Sequence, residues 1–310
     1  MKVLITAKNG QLGWELNNTL SAENVANIEN IEAIFLDSKK LDITNANAVI
    51  ERISSFKPDF VINAAAYTAV DKAESDSDAA YKVNQQGAKN LALACKEIGA
   101  KLIHVSTDFV FDATKNTPYQ PEDPTNPLGV YGASKLAGEE AVVEVLGADV
   151  SIIRTAWVYS THGNNFVKTM LRLMAEKEQL GVVADQVGTP TNAKNLAKAI
   201  WQLVEKEHTD CLSASTNSNT NANANANIYH WTDLGTASWY DFAVAIQELG
   251  LANGLLQKPI AVNPIKASQY PTPAKRPAYS VLDTSALREK LNVTGEHWRT
   301  ALNSMLKELT

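Results

Sequence analysis

Lys2-Val3-Leu4-Ile5-Thr6-Ala7-Lys8-Asn9-Gly10-Gln11-Leu12-Gly13-Trp14-Glu15-Leu16 opens the chain. The apolar run at residues 2–6 is what a buried strand needs. Gly10 and Gly13 then mark a turn, and Trp14-Glu15-Leu16 begins a helix. In a strand, glycine turn and helix the backbone can approach a pyrophosphate. The helix N-terminus supplies donors and the positive end of a dipole. Outward from this stretch, strand-like runs recur at Ala33-Ile34-Phe35-Leu36, at Phe60 to Asn63 and at Leu102-Ile103-His104-Val105. Helical stretches separate them, the longest from about Asp78 to Ile98. The alternation predicts an α/β fold, a doubly wound parallel sheet of the Rossmann type.

The ends of these strands carry the residues with chemistry. Asp37 ends the second run, where an acid can accept from the ribose hydroxyls of an adenosine. Lys39 and Lys40 follow at once and suit a 2′-phosphate instead, so NADH and NADPH both remain open. Asp42-Ile43 begins a loop suited to capping the next helix and touching adenine. Ala64, Ala65 and Ala66 leave room for a flat ligand. The fourth run ends in Ser106-Thr107-Asp108, ahead of Val130-Tyr131-Gly132-Ala133-Ser134-Lys135. Tyr131 and Lys135, four residues apart on a helix through Leu146, share one face. The spacing predicts that the ammonium lowers the pKa of the phenol, tuning it to exchange a proton with a carbinol oxygen. Thr107 would hydrogen-bond the same oxygen.

Composition narrows the field. A net charge of −6 and a pI near 5.5 argue against nucleic acid and anionic membrane surfaces as partners. Two cysteines form no framework, which fits a reducing, cytoplasmic setting, and Cys95 reads as core. No signal peptide opens the chain and no apolar run is long enough to span a bilayer. The five histidines form no ligand pattern, so no catalytic metal is expected.

Further on, the acid- and proline-rich loop from Thr117 to Pro127 is long enough to fold over a site. Ser151 to Tyr159 reads as one continuous apolar strand. Gly163-Asn164-Asn165-Phe166 caps a helix reaching about Lys177, and Gln186 to Thr191 reads as a turn before another helix. Residues 213–227 are low complexity and predict a disordered excursion. Trp239 to Leu249 is an amphipathic helix. Pro271-Thr272-Pro273-Ala274-Lys275-Arg276-Pro277 is a stiff basic loop, a candidate anion site.

Taken together these motifs resemble the extended short-chain dehydrogenase/reductase superfamily and, within it, the dTDP-4-dehydrorhamnose reductases. The resemblance spans nearly the whole chain. It rests on residues 9–16, 63–74, 106–111, 130–139, 154–159, 163–166 and 270–277. It implies residues 1–155 as the NAD(P)-binding domain, with elements from about 188–245 returning to it. A smaller, mainly C-terminal sugar-nucleotide domain, 156–310, would be interleaved with it. It also implies reduction of the C4 ketone of dTDP-4-dehydro-L-rhamnose by a nicotinamide, with Tyr131 protonating the oxygen, Lys135 tuning Tyr131 and Thr107 orienting the carbonyl. Gly10, Gln11, Leu12 and Gly13 match the pyrophosphate turn. Asp37, Asp42 and Ile43 match the adenosine side, and Ala64, Ala65, Ala66, Tyr67, Thr68 and Val105 the rest of the cofactor path. Val70, Asp108, Phe109, Trp157, Asn165 and Arg276 match the sugar-nucleotide side.

The departures are informative too. Ala7 stands where the family turn usually begins with glycine. Some members join through a magnesium ion; Glu15 and Glu308 match two of its positions, but Lys194 stands at the third, so no such metal is expected. Monomer and homodimer both stay open. A dehydratase would carry glutamate after the Asp108 position, whereas Phe109 moves no proton. An epimerase or a non-catalytic dinucleotide-binding subunit is the remaining rival. The intact Thr107, Tyr131 and Lys135 favour the enzyme.

Overall fold

The computed structural model describes residues 1–20, 31–214 and 226–310. The expected disorder of the asparagine-rich stretch therefore falls, between 215 and 225, outside the described residues. Along the first half run β1 (Lys2–Ile5), α1 (Gln11–Asn18), β2 (Glu32–Phe35), α2 (Ala46–Phe56), β3 (Phe60–Asn63), α3 (Val70–Ala73), α4 (Ser77–Tyr81), α5 (Ala88–Ile98), β4 (Lys101–Thr107) and α6 (Val130–Leu146). Then follow β5 (Val150–Thr155), β6 (Val158–Tyr159), α7 (Phe166–Glu176), β7 (Gln179–Val183), β8 (Val187–Gly188), β9 (Thr191–Asn192) and α8 (Ala193–Ala214). The chain ends with β10 (Asn227–His230), β11 (Ala237–Ser238), α9 (Trp239–Ala252), β12 (Ala261–Ile265), α10 (Ser285–Leu291) and α11 (Trp298–Lys307).

Among the described residues the main sheet has six strands in the order β10-β5-β4-β3-β1-β2, every pair parallel. Its strands read as apolar runs because helices cover both faces. Leu4, Val61, Leu102 and Ile152 point to one face, under α2, α5 and α6. Val3, Ile5, Ile62, Ile103 and Ile153 point to the other, against Leu16 of α1 and the α8 side chains Leu196, Ile200 and Trp201. A third core joins α7, α9 and α11 through Met170, Phe242, Ile246 and Leu302. From β1 the chain steps one way to β2 and the other way to β3, β4 and β5. That reversal opens a crevice at the strand carboxyl ends.

Three readings of the sequence need correction. Ser151 to Tyr159 is not one strand, because Trp157 turns the chain with a left-handed φ of +48° between β5 and β6. The helix expected from about Asp78 to Ile98 contains a π-helical segment, Lys82–Gly87, between α4 and α5. Such segments often accompany functional sites. Gln186 to Thr191 holds two short strands rather than a bare turn. β8 pairs with β11, and β9 pairs with β6. The loop from Thr117 to Pro127 is packed down at both ends, with Pro127 against Gly132 of α6. Tyr119 is 1% exposed, stacks on Phe111 at 4.3 Å and bridges to Leu282, and Arg154 donates to the Pro121 carbonyl at 3.1 Å.

Candidate active site

A cleft of about 360 Å³ lies at the carboxyl ends of β1, β2 and β3. Ala7, Gly10, Asp37, Asp42, Ile43, Ala65, Ala66 and Tyr67 line it. The turn beneath it is tight. The Gly10 amide donates to the Ala7 carbonyl at 2.9 Å, and a Cβ on Gly13 would stand 2.1 Å from that same carbonyl oxygen. Glycine at 13 is therefore a packing requirement. Ala7 sits at φ +55°, a region alanine enters only under strain. Gly10 caps α1 without a side-chain hydrogen bond, so the first amides of α1 face the cleft side of the turn. Gln11 Oε1 accepts from Asn165, and Leu12 packs into the core behind.

Asp37 accepts from the amides of Lys40 and Lys39 at 3.0 and 3.1 Å and from Asn9 at 3.2 Å. The Lys40 amide above all holds its carboxyl below the usual range. The Asp42 carboxylate accepts from Thr44, and Asn45 caps α2, as the sequence indicates. The Ala64 and Ala65 amides both donate to Thr6 Oγ1 at 3.1 Å, which fixes the strand end under the cleft. Tyr67, ahead of Thr68, is held by a residue the sequence gave no reason to single out. Asn84, in the π-helical segment, accepts from the Tyr67 amide at 2.8 Å. It donates to the Tyr67 carbonyl at 3.2 Å and to Ser134 Oγ at 2.9 Å. One buried amide thus ties the cofactor-side loop to α6. A mid-helix asparagine carries no local cue to such a role.

The helix bearing Tyr131 is placed with care. The Glu74 carboxylate accepts from the Val130 amide at 2.8 Å and caps α6. Gly132 lets α6 approach the chain after β4; a Cβ there would lie 2.2 Å from the Phe109 carbonyl oxygen. Deeper in, Glu139 of α6 and Arg154 of β5 form a buried ion pair at 2.7 Å. The Tyr131 ring meets Phe109 edge-on at 5.5 Å. Thr107, paired with Thr155 across the sheet, donates to Asp108 Oδ1 at 3.1 Å.

The predicted tuning of Tyr131 is overturned. Burial pushes its phenol up to about 12, the Asp108 carboxylate adds to the rise, and only the Thr107 hydroxyl opposes it. Lys135 is 2% exposed and donates to the Val105 carbonyl at 2.7 Å. Burial brings its ammonium down to about 8, against the pull of Glu139. Sharing a helical face does not let the ammonium tune the phenol, because Lys135 reaches to the Val105 carbonyl while the partly buried Tyr131 packs against Phe109. Like an ordinary tyrosine at neutral pH, the phenol keeps its proton, and in that form it can give one.

Asp108 is 2% exposed, and its Oδ2 has no hydrogen-bond partner. Burial pushes its carboxyl up to about 6, against the facing hydroxyls of Ser280 and Thr107. Ser280 was not legible in the sequence; it arrives because Ala278 and Ser280 pair with Val187 of β8. Phe109 packs on Tyr131, Val70 opens α3, and Trp157 stands two residues past Thr155. The Asn165 amide is already engaged by Gln11, the Ser160 carbonyl and the Lys168 amide. Arg276 is likewise engaged, gripping Asp71 with two hydrogen bonds of 2.9 and 2.7 Å. That clasp joins the proline-rich loop to α3. Glu15 accepts from Ser160 at 2.6 Å, while Lys194 pairs with Glu308 at 2.7 Å. Among the described residues no helix is long and apolar enough to cross a membrane.

A parallel sheet with a glycine turn at its reversal, and a neutral Tyr131 beside Thr107 with Lys135 behind, define an extended short-chain dehydrogenase/reductase. The family model described as the RmlD substrate binding domain matches residues 1–310, and the chain belongs to that family. A dTDP-4-dehydrorhamnose reductase of Burkholderia thailandensis is 40% identical, over 100% of this chain and 99% of that protein. The crystal structure of a dTDP-4-dehydrorhamnose reductase from Clostridium acetobutylicum superposes with a TM-score of 0.86 at 39% identity, covering 100% and 99% of the two chains. That of the Bacillus anthracis dTDP-4-dehydrorhamnose reductase, in complex with NADP, gives 0.83 at 35% identity over 99% of each chain.

Proposed function

We propose that this protein reduces the C4 ketone of dTDP-4-dehydro-L-rhamnose to dTDP-L-rhamnose, using NADPH. The observation that carries the reading is geometric: Tyr131 of α6 packs against the Thr107–Phe109 turn at the carboxyl end of β4, on the same edge of the sheet as a cleft of about 360 Å³ over the glycine turn. The residues present suit that cofactor. Small side chains and the tight turn at Gly10 and Gly13 leave the backbone accessible, Leu41 and Ile43 offer apolar walls, and Asp37, held by the Lys40 amide, stands where the adenosine would lie. When bound, the reduced nicotinamide supplies a hydride to C4.

The chain's own residues do the rest. Tyr131 donates its proton to the oxygen as charge develops there, a step worth roughly 10²–10⁴ in rate for a positioned acid. Thr107 turns its hydroxyl from Asp108 to the same oxygen and fixes the carbonyl's orientation. Lys135, which donates to the Val105 carbonyl in β4, is placed to hold the nicotinamide ribose rather than to tune Tyr131. Gly10, Gln11 and Leu12 take the pyrophosphate, and Ala66, Tyr67 and Thr68 flank the nicotinamide side. Val70, Asp108, Phe109 and Trp157 face the sugar, and Arg276 lies near its diphosphate. The test is loss of NADPH absorbance on adding dTDP-4-dehydro-L-rhamnose, with dTDP-L-rhamnose as the product. No oxidation of NADPH overturns the reading.

A further inference from the structure

We propose that Glu74 is a positioning residue for Tyr131, holding the first turn of α6 where the phenol can meet the substrate oxygen. The proposal rests on the functional reading above. Tyr131 is the second residue of α6, so the place of its ring follows from the place of that turn. The first four amides of a helix have no partner within it, and a side chain or water must take them. The local sequence of α6 supplies no such side chain. Gly129 stands at the cap position, and the first turn contains no acidic residue.

The acceptor comes from a distant part of the chain. Glu74, just past the end of α3, takes the Val130 amide at 2.8 Å from 56 residues away. Its carboxylate stands at the positive end of the α6 dipole, where a negative charge is stabilising. Gly129 makes room for it: a Cβ there would lie 2.6 Å from Glu74 Oε1. The chain thus forgoes a local cap for one that ties α6 to α3. That short helix is itself fixed. Ala73 is fully buried, and Asp71, three residues before Glu74, accepts from the Ala274 amide at 3.2 Å and grips Arg276.

On its carboxyl side Tyr131 is pinned by uncharged contacts. Ser134 donates to the Tyr131 carbonyl at 2.8 Å and accepts from Asn84 at 2.9 Å. Gly132 lies against the Phe109 carbonyl, and the Tyr131 ring packs on Phe109. On the amino side the hold is Glu74. Without it, only water orders the amide that precedes Tyr131. A shift of about 1 Å at a reacting group costs rate far more than it costs affinity. Glu74 is exposed, so water competes for the Val130 amide and the expected effect is modest. Glu74 takes no part in proton transfer and acts through Tyr131.

The experiment compares wild type, Glu74→Ala, Glu74→Gln and Glu74→Ala combined with Gly129→Ser. It reads the single-turnover rate of NADPH oxidation by the keto sugar, KM, the NADPH dissociation constant and the thermal midpoint. Glu74→Ala is expected to lower the single-turnover rate about fivefold, the scale of one lost helix cap, with KM and NADPH affinity within about twofold of wild type. Glu74→Gln keeps an acceptor oxygen and is expected to stay within about twofold in rate. Gly129→Ser supplies a local cap and is expected to return the double variant to within about twofold of wild type. In a Tyr131→Phe background Glu74→Ala is expected to lower the residual rate by less than about twofold, because no phenol is left to place. An unchanged rate in a folded Glu74→Ala overturns the proposal. So does an equal loss in the Tyr131→Phe background, or a parallel loss of rate, KM and NADPH affinity, which marks a general loosening of the fold. If Glu74→Ala does not fold, Gly129→Ala, which displaces the carboxylate without removing it, takes its place, and an unchanged rate there overturns the proposal. Wild-type protein without turnover defeats the functional reading, whereas normal turnover with an unaffected variant defeats this inference alone.

Discussion

The proposed cofactor cleft and the proposed sugar-facing wall occupy the same edge of one sheet, yet they are assembled differently. The cleft is built in chain order, from the ends of β1, β2 and β3, chiefly with backbone, glycine and alanine. The proposed wall is gathered from Thr107–Phe109, Tyr131 and Ser280, segments that meet only when α6, β8 and the stretch after Arg276 have docked. The first needs close approach and little else. The second needs buried polar groups at defined orientations, and the fold bears a cost for them: Asp108 Oδ2 has no partner. A small change at Ala7 should therefore have a modest effect on affinity, whereas changes at Tyr131 and Asp108 should have large effects on turnover, with an opposite effect on stability at Asp108.

The largest effect should come from Tyr131→Phe. It should lower kcat at least a hundredfold, roughly the lower bound for a general acid, with the NADPH dissociation constant nearly unchanged. Retention of most activity would move the proton donor elsewhere.

Asp108→Asn should stabilise the protein while impairing it. The folded-state value near 6 exceeds the ordinary 3.8. Below both values the carboxyl is protonated in the folded and unfolded chain alike and costs nothing. As pH rises from about 4 to about 6, the unfolded chain ionises more readily, so stability is lost and stays lost above that window. Two units correspond to about 3 kcal/mol. The variant should match wild type in denaturant titrations near pH 4 and exceed it by up to about 3 kcal/mol near pH 8. A difference that does not depend on pH would show that Asp108 is not the strained group.

A smaller effect is expected at the clasp between the two regions. A double-mutant cycle of Asp71→Ala and Arg276→Ala should give a coupling of about 1 kcal/mol, modest because both side chains are partly exposed. No coupling would mean that Arg276 is free to serve a ligand's phosphates alone.

The smallest is in the cleft. Ala7→Gly should tighten NADPH binding a few-fold, by roughly 0.5–1 kcal/mol of relieved strain, with kcat little altered. Fluorescence titration measures it, and weaker binding by the glycine variant would show that the φ of +55° carries no strain.

Much of this was legible in the sequence. The apolar runs, the glycine turn, the helix from Tyr131 to Leu146 and the cap at Asn165 all depend on local periodicity and turn chemistry. So does the oddity of Ala7, which became interpretable as strain once its φ was known. The illegible parts were non-local. Ser280 and Asn84 have no spacing relation to Tyr131, and nothing in an apolar run from Ser151 to Tyr159 signals a left-handed residue at Trp157. The ionisation of Tyr131 went the other way from expectation because helical spacing fixes where side chains start, not where a long lysine ends.

The sequence alone determined the alternation of strands and helices, the position of the dinucleotide turn, and the residue types at the reacting centre, since each is set within a few residues by backbone preference and apolar spacing. Tertiary structure alone decided the protonation of Tyr131, the burial of Asp108, and the seating of Trp157 between Gly188 and Trp239. Those depend on which distant segments exclude water and press against the group, and desolvation and packing are properties of the assembled fold.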